Sequence, residues 1–213
     1  MAKKTTKKST TKPVKKQVIK KSKTTKPVKR QFIKKPKVKI ENVVASASVD
    51  AEIDLDKIAA TLPNAEYEPE QFPGLVLRLT DPKAAILVFS SGKMVCTGAK
   101  EVAMIKVAID KTIKQIKTTG TKVRGEATIT VQNIVASSDL GVELNLDKIA
   151  FSLQNAEFEP EQFPGLVFRV FDPKVVFLLF RSGKIVCTGA KKKIDVERGV
   201  AKLIQELKKI KAL

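Results

Sequence analysis

The chain has 213 residues, 43% of them hydrophobic and 30% charged, which is enough to bury the core of one large or two small domains. Its net charge of +19 is concentrated at one end, because residues 1–39 carry 17 Lys and Arg and no acid. No apolar run approaches the roughly 18 residues of a membrane span, and we expect no signal peptide, since the N-terminus lacks an apolar core. The sequence therefore predicts a near-neutral folded body with a cationic arm.

The arm, residues 1–39, contains an approximate 14-residue repeat, TKPVKKQVIKK at 11–21 and TKPVKRQFIKK at 25–35. Its composition predicts disorder in isolation. A run of lysines of this density also predicts DNA binding without sequence preference. A tail that serves only solubility is the alternative, and the composition leaves it open.

From residue 40 onward the chain matches itself at a spacing of 91 residues without a gap. LDKIA at 55–59 recurs at 146–150, and SGKMVCTGAK is followed by SGKIVCTGAK at the same spacing. Such self-similarity predicts two structural copies. We call 40–120 the first repeat and 131–213 the second, with 121–130 as a linker and the start of the second repeat's first strand.

Each repeat is predicted to contain the same elements in the same order. In the first repeat, alternating β-branched residues predict a strand at 40–47, and Asp54 is placed to cap a short helix that ends at Leu62. Turn residues then separate further strands at 65–67, 75–79, 84–89 and 93–97. A long helix is predicted from about 100 to 117, and residues 118–124 lead from this helix toward the first strand of the second repeat.

The long helix carries apolar residues at spacings of three and four, which is typical of a helix with one buried stripe. The stripe is predicted at Val102, Ile105, Ile109, Ile113 and Ile116, and in the second repeat at Val196, Val200, Leu203, Leu207 and Ile210.

Side-chain alternation makes both faces of the predicted strands apolar. Helices normally cover both faces of such a sheet, but each repeat has only one long helix, so we expect one face to remain open as a binding surface. Two sheets packed face to face are the alternative. Three kinds of polar residue argue against this alternative, because Asn, Thr and Arg alternate onto the same strand faces as apolar residues that the helices do not cover. Burying them in a dry core between two sheets would be strongly unfavourable.

Catalysis is not expected from this composition. The chain has no histidine and one tyrosine, and we find no phosphate-binding glycine loop, metal-ligand cluster or paired acids, so neither a cofactor nor a metal is predicted. Cys96 and Cys187 occupy equivalent positions in two VCTGAK segments. Equivalent positions in two repeats are usually far apart, which favours buried free thiols in a reducing compartment over a disulfide.

The segments QNIVAS, NAEFEPEQFPGLVFR and LLFRSGKIVCTGAK, with their first-repeat counterparts, carry a family resemblance. Over residues 40–213 the chain resembles the TATA-box-binding protein family in its archaeal form. The resemblance implies an α+β saddle: one curved sheet of ten antiparallel strands, with four helices on the convex face. It also implies a general transcription initiation factor that binds the TATA box of double-stranded DNA in the minor groove.

The resemblance assigns roles residue by residue. Two phenylalanine pairs are expected to insert into the DNA and kink it: Phe72 with Phe89, and Phe163 with Phe180. The base-contacting set is Asn42, Val44, Leu87, Val95, Thr97, Asn133, Val135, Leu178, Val186 and Thr188. The phosphate-contacting set is Arg78, Ser91, Lys93, Lys100, Arg169, Arg181, Ser182, Lys184 and Lys191. From the residues alone, the phenylalanines could instead be core and the lysines merely solvated.

A protein partner is implied by the acidic turn EPEQFPG, which occurs at 68–74 and 159–165 and which we call the stirrup turn. The resemblance implies that Glu159, Glu161 and Gln162 bind the TFIIB-like factor TFB. TFB in turn recruits RNA polymerase to the preinitiation complex. Acids that only keep the turn soluble are the alternative.

We expect a cytoplasmic, nucleoid-associated protein. A homodimer of the DNA-free form and a non-specific architectural DNA-binding role both remain open.

Overall fold

The computed structural model describes residue 1 and residues 36–213. The predictions for most of the cationic arm lie outside the described residues. Within them the chain forms β1 Lys39–Asp50, α1 Leu55–Thr61, β2 Ala65–Glu66, β3 Leu75–Thr80, β4 Lys83–Val88, β5 Lys93–Ala99, α2 Val102–Thr118, β6 Arg124–Asp139, α3 Leu146–Ser152, β7 Ala156–Glu157, β8 Leu166–Phe171, β9 Lys174–Leu179, β10 Lys184–Ala190 and α4 Lys193–Lys209.

The strands of residues 36–213 form one sheet in the order β2-β3-β4-β5-β1-β6-β10-β9-β8-β7. Each recorded strand pair is antiparallel. The long strands β1 and β6 lie in the middle and join the two repeats, while each repeat's meander runs outward to one edge. The predicted single sheet is confirmed, and the alternative of two packed sheets is wrong.

Alternation along the strands separates a covered face from an open one. Met94 and Cys96 of β5 are buried under the helices, whereas Val95 and Thr97 between them are only half-buried. The same pattern holds in β4, where Ile86 is buried and Leu87 is half-buried. We call the side of the sheet that bears Val95 and Leu87 the open face.

The core lies between the sheet and the four described helices. Alternate residues of β1, β4 and β5 join the buried residues of α1 and α2 in one cluster, which continues through the second repeat. The helix starts are set locally: Asp54 Oδ1 accepts a hydrogen bond from the Lys57 N–H at 3.0 Å, and Asn145 does the same for Lys148. The predicted cap at Asp54 is confirmed.

The predicted helix stripe needs one correction. Val102 is 48% exposed, because residues 101–104 at the start of α2 all lie outside the part of the helix that packs on the sheet. Ile113 is only partly buried, and Ile210 follows the last residue of α4 as a partly buried cap. The remaining predicted stripe residues of α2 and α4 are buried.

No helix of the described part is long and apolar enough to span a membrane.

Candidate nucleic-acid interface

The open face is built from cross-strand rows of apolar side chains. In the first repeat Val76 of β3 pairs with Leu87, Leu87 with Val95, and Val95 with Ser46 of β1. The second repeat repeats the row with Val167, Leu178, Val186 and Ser137. These valines and leucines are half-buried with no helix above them. The result is an apolar floor in each repeat, bordered by a serine on each of the two central strands.

The ten residues predicted to contact bases are brought together on this face, and all ten are half-buried. Asn42 and Asn133 lie at its centre, on the two middle strands, where Asn42 pairs with Val135 and Val44 with Asn133. Sequence reasoning missed Val76 and Val167. Each lies two residues before an arginine of the same strand, Arg78 or Arg169, and therefore on the same face of the sheet as that arginine. This spacing is the signal that would have identified both valines.

The amides at the centre are held by hydrogen bonds. The Gly98 N–H donates to Asn42 Oδ1 at 2.8 Å, and Asn42 Nδ2 donates to Thr97 Oγ1 at 3.1 Å. In the second repeat the corresponding distances, from Gly189 to Asn133 and from Asn133 to Thr188, are 2.7 and 3.0 Å. The two halves therefore carry the same three-residue arrangement.

An aromatic pair lies toward each end of the sheet. The rings of Phe72 and Phe89 have centroids 5.8 Å apart at 64°, and those of Phe163 and Phe180 are 6.1 Å apart at 67°. Such edge-to-face contacts stabilise a pair by about 0.5–1.5 kcal/mol beyond the area they bury. Phe72 and Phe163 are still 39% and 40% exposed, so each pair presents a ring to solvent instead of filling the core.

The stirrup turn positions these rings. The Phe72 N–H donates to the Glu68 carbonyl at 3.0 Å, and the Phe163 N–H donates to the Glu159 carbonyl at 2.9 Å. A Cβ added at Gly74 would lie 2.6 Å from Cε1 of Phe72 and 2.9 Å from Cε1 of Phe89, so any other residue here would displace the ring pair. The acids of the turn, Glu159 and Glu161, and its Gln162 are exposed.

The nine residues of the predicted phosphate-contacting set are all exposed. Several have acidic partners: Arg78 binds Glu66 at 3.2 Å, Arg169 binds Glu157 at 3.3 Å and Arg181 binds Asp147 at 3.4 Å. Exposed pairs of this kind contribute about 0–1 kcal/mol, so these guanidinium groups can exchange partners easily. Ser91, Lys93, Ser182 and Lys184 lie at or beside the hairpins that carry Phe89 and Phe180.

A carboxylate on the sheet is the main feature that sequence reasoning missed. Glu41 accepts a hydrogen bond from Ser137 Oγ at 2.7 Å and binds Lys39 at 3.0 Å and Lys100 at 3.6 Å. The Ser137 hydrogen bond first, and Lys39 next, hold the pKa of Glu41 below its ordinary value. In the second repeat this position is Gln132, which donates to Ser46 Oγ at 2.8 Å. Comparing the two repeats position by position would have shown the difference in charge.

The two thiols lie on the covered face and are free and buried. Burial raises the pKa of Cys96 to about 11 and that of Cys187 to about 12, so neither is a reactive thiolate at neutral pH. Residues 36–213 contain no group of three His, Cys, Asp or Glu side chains that could hold a metal ion.

The open face combines a duplicated sheet, an apolar floor, central amides and a ring pair toward each end. These features define a protein that binds its ligand through an extended surface.

Comparison with known proteins shows which family this chain resembles. The family model described as transcription factor TFIID, or TATA-binding protein, matches residues 37–119 and 128–210. The TATA-box-binding protein of Methanocaldococcus jannaschii is 52% identical over 84% of this chain and 97% of its own length, and that of Thermoplasma volcanium is 54% identical over 82% and 96%. A solved structure, Methanococcus jannaschii TBP, superposes with a TM-score of 0.77 at 52% identity, covering 82% of this chain and 99% of that one.

The chain belongs to the TATA-box-binding protein family. The saddle with two repeats, one antiparallel sheet and four helices among the described residues is confirmed. The family is one of DNA-binding transcription factors, which confirms the prediction that the chain is not an enzyme.

Proposed function

We propose that the open face binds the minor groove of a TATA box and that the protein initiates transcription from that site. The observation that carries the proposal is the arrangement of the open face: an apolar floor in each repeat, amide and hydroxyl groups at its centre and a ring pair toward each end. The names of the relatives support the same ligand.

Base chemistry favours A·T pairs. In the minor groove these pairs show only the acceptors adenine N3 and thymine O2, whereas a G·C pair adds the guanine amino group. Val95 and Val186 offer that amino group no partner, so a guanine would be desolvated without compensation. Asn42 and Asn133 can donate to the acceptors near the centre of the site.

Insertion of the ring pairs into base steps, as the family resemblance implies, would kink the duplex at both ends. Apolar side chains act as wedges in this way when they enter from the minor groove. Phe72 and Phe163 suit the role because their backbone is hydrogen-bonded within the stirrup turn and their side chains remain exposed. The exposed Arg and Lys residues along the rim would contact phosphates, which positions the protein without reading sequence.

The test is a comparison of two duplexes that differ only in the central two base pairs. Because each wrong pair costs about 1–3 kcal/mol, an all-A·T octamer should bind on the order of a hundredfold more tightly than its G·C-substituted version. Fluorophores at the duplex ends should also show the ends approaching on binding. Equal affinities for the two duplexes would favour the architectural role.

A second surface, the outside of the second stirrup turn, is proposed to recruit TFB and, through it, RNA polymerase. Glu159, Glu161 and Gln162 are exposed there. The first repeat supplies a matched control, because Glu68 and Glu70 occupy an almost identical turn. Glu159→Ala with Glu161→Ala should abolish assembly of the TFB complex on DNA, whereas Glu68→Ala with Glu70→Ala should not. An equal effect of both variants would refute the assignment.

The cationic arm is proposed to add affinity for DNA of any sequence. Its 17 basic residues and lack of acids support this, since each neutralised phosphate makes binding more dependent on salt. Deletion of residues 2–35 should weaken binding to random DNA and flatten its salt dependence while the TATA preference persists. Loss of that preference would contradict this role. DNA binding by both parts also supports the expected association with the nucleoid.

A further inference from the structure

Two β-bulges lie at equivalent places beside the central asparagines. Between the pairs Val43–Ala99 and Ala45–Cys96, strand β5 has two residues, Thr97 and Gly98, opposite the single residue Val44 of β1. Strand β10 repeats this with Thr188 and Gly189 opposite Val135 of β6. A bulge takes one residue out of the ladder and can redirect its backbone groups.

The redirected group is a backbone N–H. Gly98 donates to Asn42 Oδ1 at 2.8 Å and Gly189 to Asn133 Oδ1 at 2.7 Å. Both glycines have a φ of +95°, a conformation that a residue with a side chain adopts only with strain. The bulge glycines are therefore needed for the geometry that sends these N–H groups to the amides.

An N–H partner settles which way each amide points. A peptide N–H can only donate, so the amide must turn its oxygen toward Gly98, because a flipped amide would set two donors against each other. Asn42 Nδ2 then donates one hydrogen to Thr97 Oγ1 at 3.1 Å, the shorter of the two contacts between these side chains, the other being 3.4 Å. The second Nδ2 hydrogen is left for the open face, and so is the Thr97 hydroxyl hydrogen whenever it is not donated to Asn42 Oδ1 across the longer contact.

We infer that Gly98 and Gly189 are positioning residues for DNA recognition: their bulged N–H groups lock the amides of Asn42 and Asn133 so that the centre of the open face presents hydrogen-bond donors. This inference rests on the proposed binding of the minor groove. Donors match adenine N3 and thymine O2 and confront the guanine amino group with a like group. Without the lock, either amide could rotate and offer its oxygen to guanine.

The test removes the N–H without adding a side chain. In cell-free synthesis of the full chain, glycolic acid replaces both Gly98 and Gly189, so that each N–H becomes an ester oxygen. Because a well-made base contact contributes about 1–3 kcal/mol of discrimination, the preference for central A·T over central G·C pairs should fall about tenfold. Inosine·C pairs, which lack the amino group, should bind like A·T in both proteins.

Gly141 offers the matched control. Its N–H also donates to a side-chain oxygen, Asp139 Oδ1 at 2.8 Å, but in an exposed turn after β6. The same ester replacement there should leave the preference unchanged. An unmodified protein without any A·T preference would refute the proposed function itself. A double ester that keeps the full preference would refute only the positioning role.

If the double ester does not fold, the unmodified protein still provides a test. A scalar coupling across the hydrogen bond, between the Gly98 nitrogen and Asn42 Cγ, reports the contact directly by NMR, as does the equivalent coupling from Gly189 to Asn133. Both couplings should be present in the DNA-free protein and persist on a TATA duplex. Their absence in either state would overturn the inference.

Discussion

The first and second repeats carry the same stirrup turn and the same asparagine arrangement, yet they fill the layer beneath differently. In the first repeat the positions equivalent to those beneath β9 are Ala108 of α2 and Ile86 and Ala84 of β4, and all three are buried. Under β9 the second repeat has Gly199, with Phe177 and Val175 on the strand. The larger strand residues are matched by a smaller helix residue, so two different cores support the same open face.

The surfaces differ at a few places that matter for DNA. Glu41 stands where the second repeat has Gln132, and Ser90 stands where it has Arg181. Both differences make the second repeat more favourable to phosphate. The residues of the open face are thus nearly the same in the two repeats, but the charges around it differ. The two ends need not bind DNA equally well.

Removing one ring pair should have the largest effect. Phe163→Ala with Phe180→Ala should abolish the kink at one end and weaken TATA binding about a hundredfold, since burying a phenylalanine is worth about 1.5–3 kcal/mol. Phe72→Ala with Phe89→Ala should do the same at the other end. Duplexes with a fluorophore pair across one end step would show which kink is lost.

Phe151→Ala is the control for the ring pairs, because this side chain is 95% exposed on α3, away from the open face. It should bind and bend DNA like the unmodified protein. Retention of bending by both ring-pair variants would rule out insertion as the source of the kinks.

The core difference should show in stability. An added Cβ at Gly199 would lie 2.8 Å from Cγ2 of Val175 and 3.2 Å from Cζ of Phe177. Overpacking costs about 1–3 kcal/mol, against a helix gain of about 0.5–1 kcal/mol from replacing glycine. Gly199→Ala should therefore lower the free energy of unfolding by about 1 kcal/mol, as measured by denaturant unfolding.

Val175→Ala with Phe177→Ile supplies the rescue, because the two changes remove both close contacts and recreate the combination of Ala84, Ile86 and Ala108 in the first repeat. In this background Gly199→Ala should be neutral or stabilising. A Gly199→Ala variant more stable than the unmodified chain would mean that the helix can shift away from the sheet at little cost.

The charge difference at Glu41 should have a smaller effect on binding. Glu41→Gln frees Lys39 and Lys100, so affinity should rise about threefold and the slope of log K against log salt should steepen by about one phosphate contact. Gln132→Glu should have the opposite effect by giving Lys191, 3.4 Å away, a carboxylate partner. Salt titrations of both variants measure the difference.

The pH dependence of this variant follows from the direction of the shift. Because its neighbours lower the pKa of Glu41, the carboxylate stays ionised as pH falls until it reaches values below the ordinary glutamate pKa of about 4.3. The difference between Glu41→Gln and the unmodified protein should thus persist unchanged from pH 8 to pH 5. Convergence of the two proteins near pH 6 would contradict the lowered pKa.

The smallest effect is expected at Arg181. Its guanidinium is largely exposed and bound to Asp147 at 3.4 Å, so it can exchange this partner for a phosphate. Arg181→Ser should lower affinity about twofold and flatten the salt slope slightly, and Ser90→Arg should do the reverse. An unchanged slope in both would show that this position does not meet the DNA backbone.

Much of the candidate site could be predicted from the sequence, because it depends on local rules. Strand alternation placed Asn42 with Val44 on one face of their strand and Val95 with Thr97 on one face of theirs, and proline and glycine placed Phe72 at the end of a turn. Val102 shows the limit of periodicity, which identifies the face of a helix but not how far the sheet extends beneath it.

The sequence by itself determined the duplication, the elements and the apolar alternation within each strand, since these follow from short-range periodicity and self-similarity, while the assignment of residues to DNA contacts came from the family resemblance. Only the tertiary structure decided that β1 and β6 meet in the middle, that Gly98 gives its N–H to Asn42, and that Glu41 lies between two lysines. Those contacts join residues far apart in the chain, as from 42 to 98 and from 41 to 137. The strand register that brings them together is set by cross-strand packing of the whole sheet.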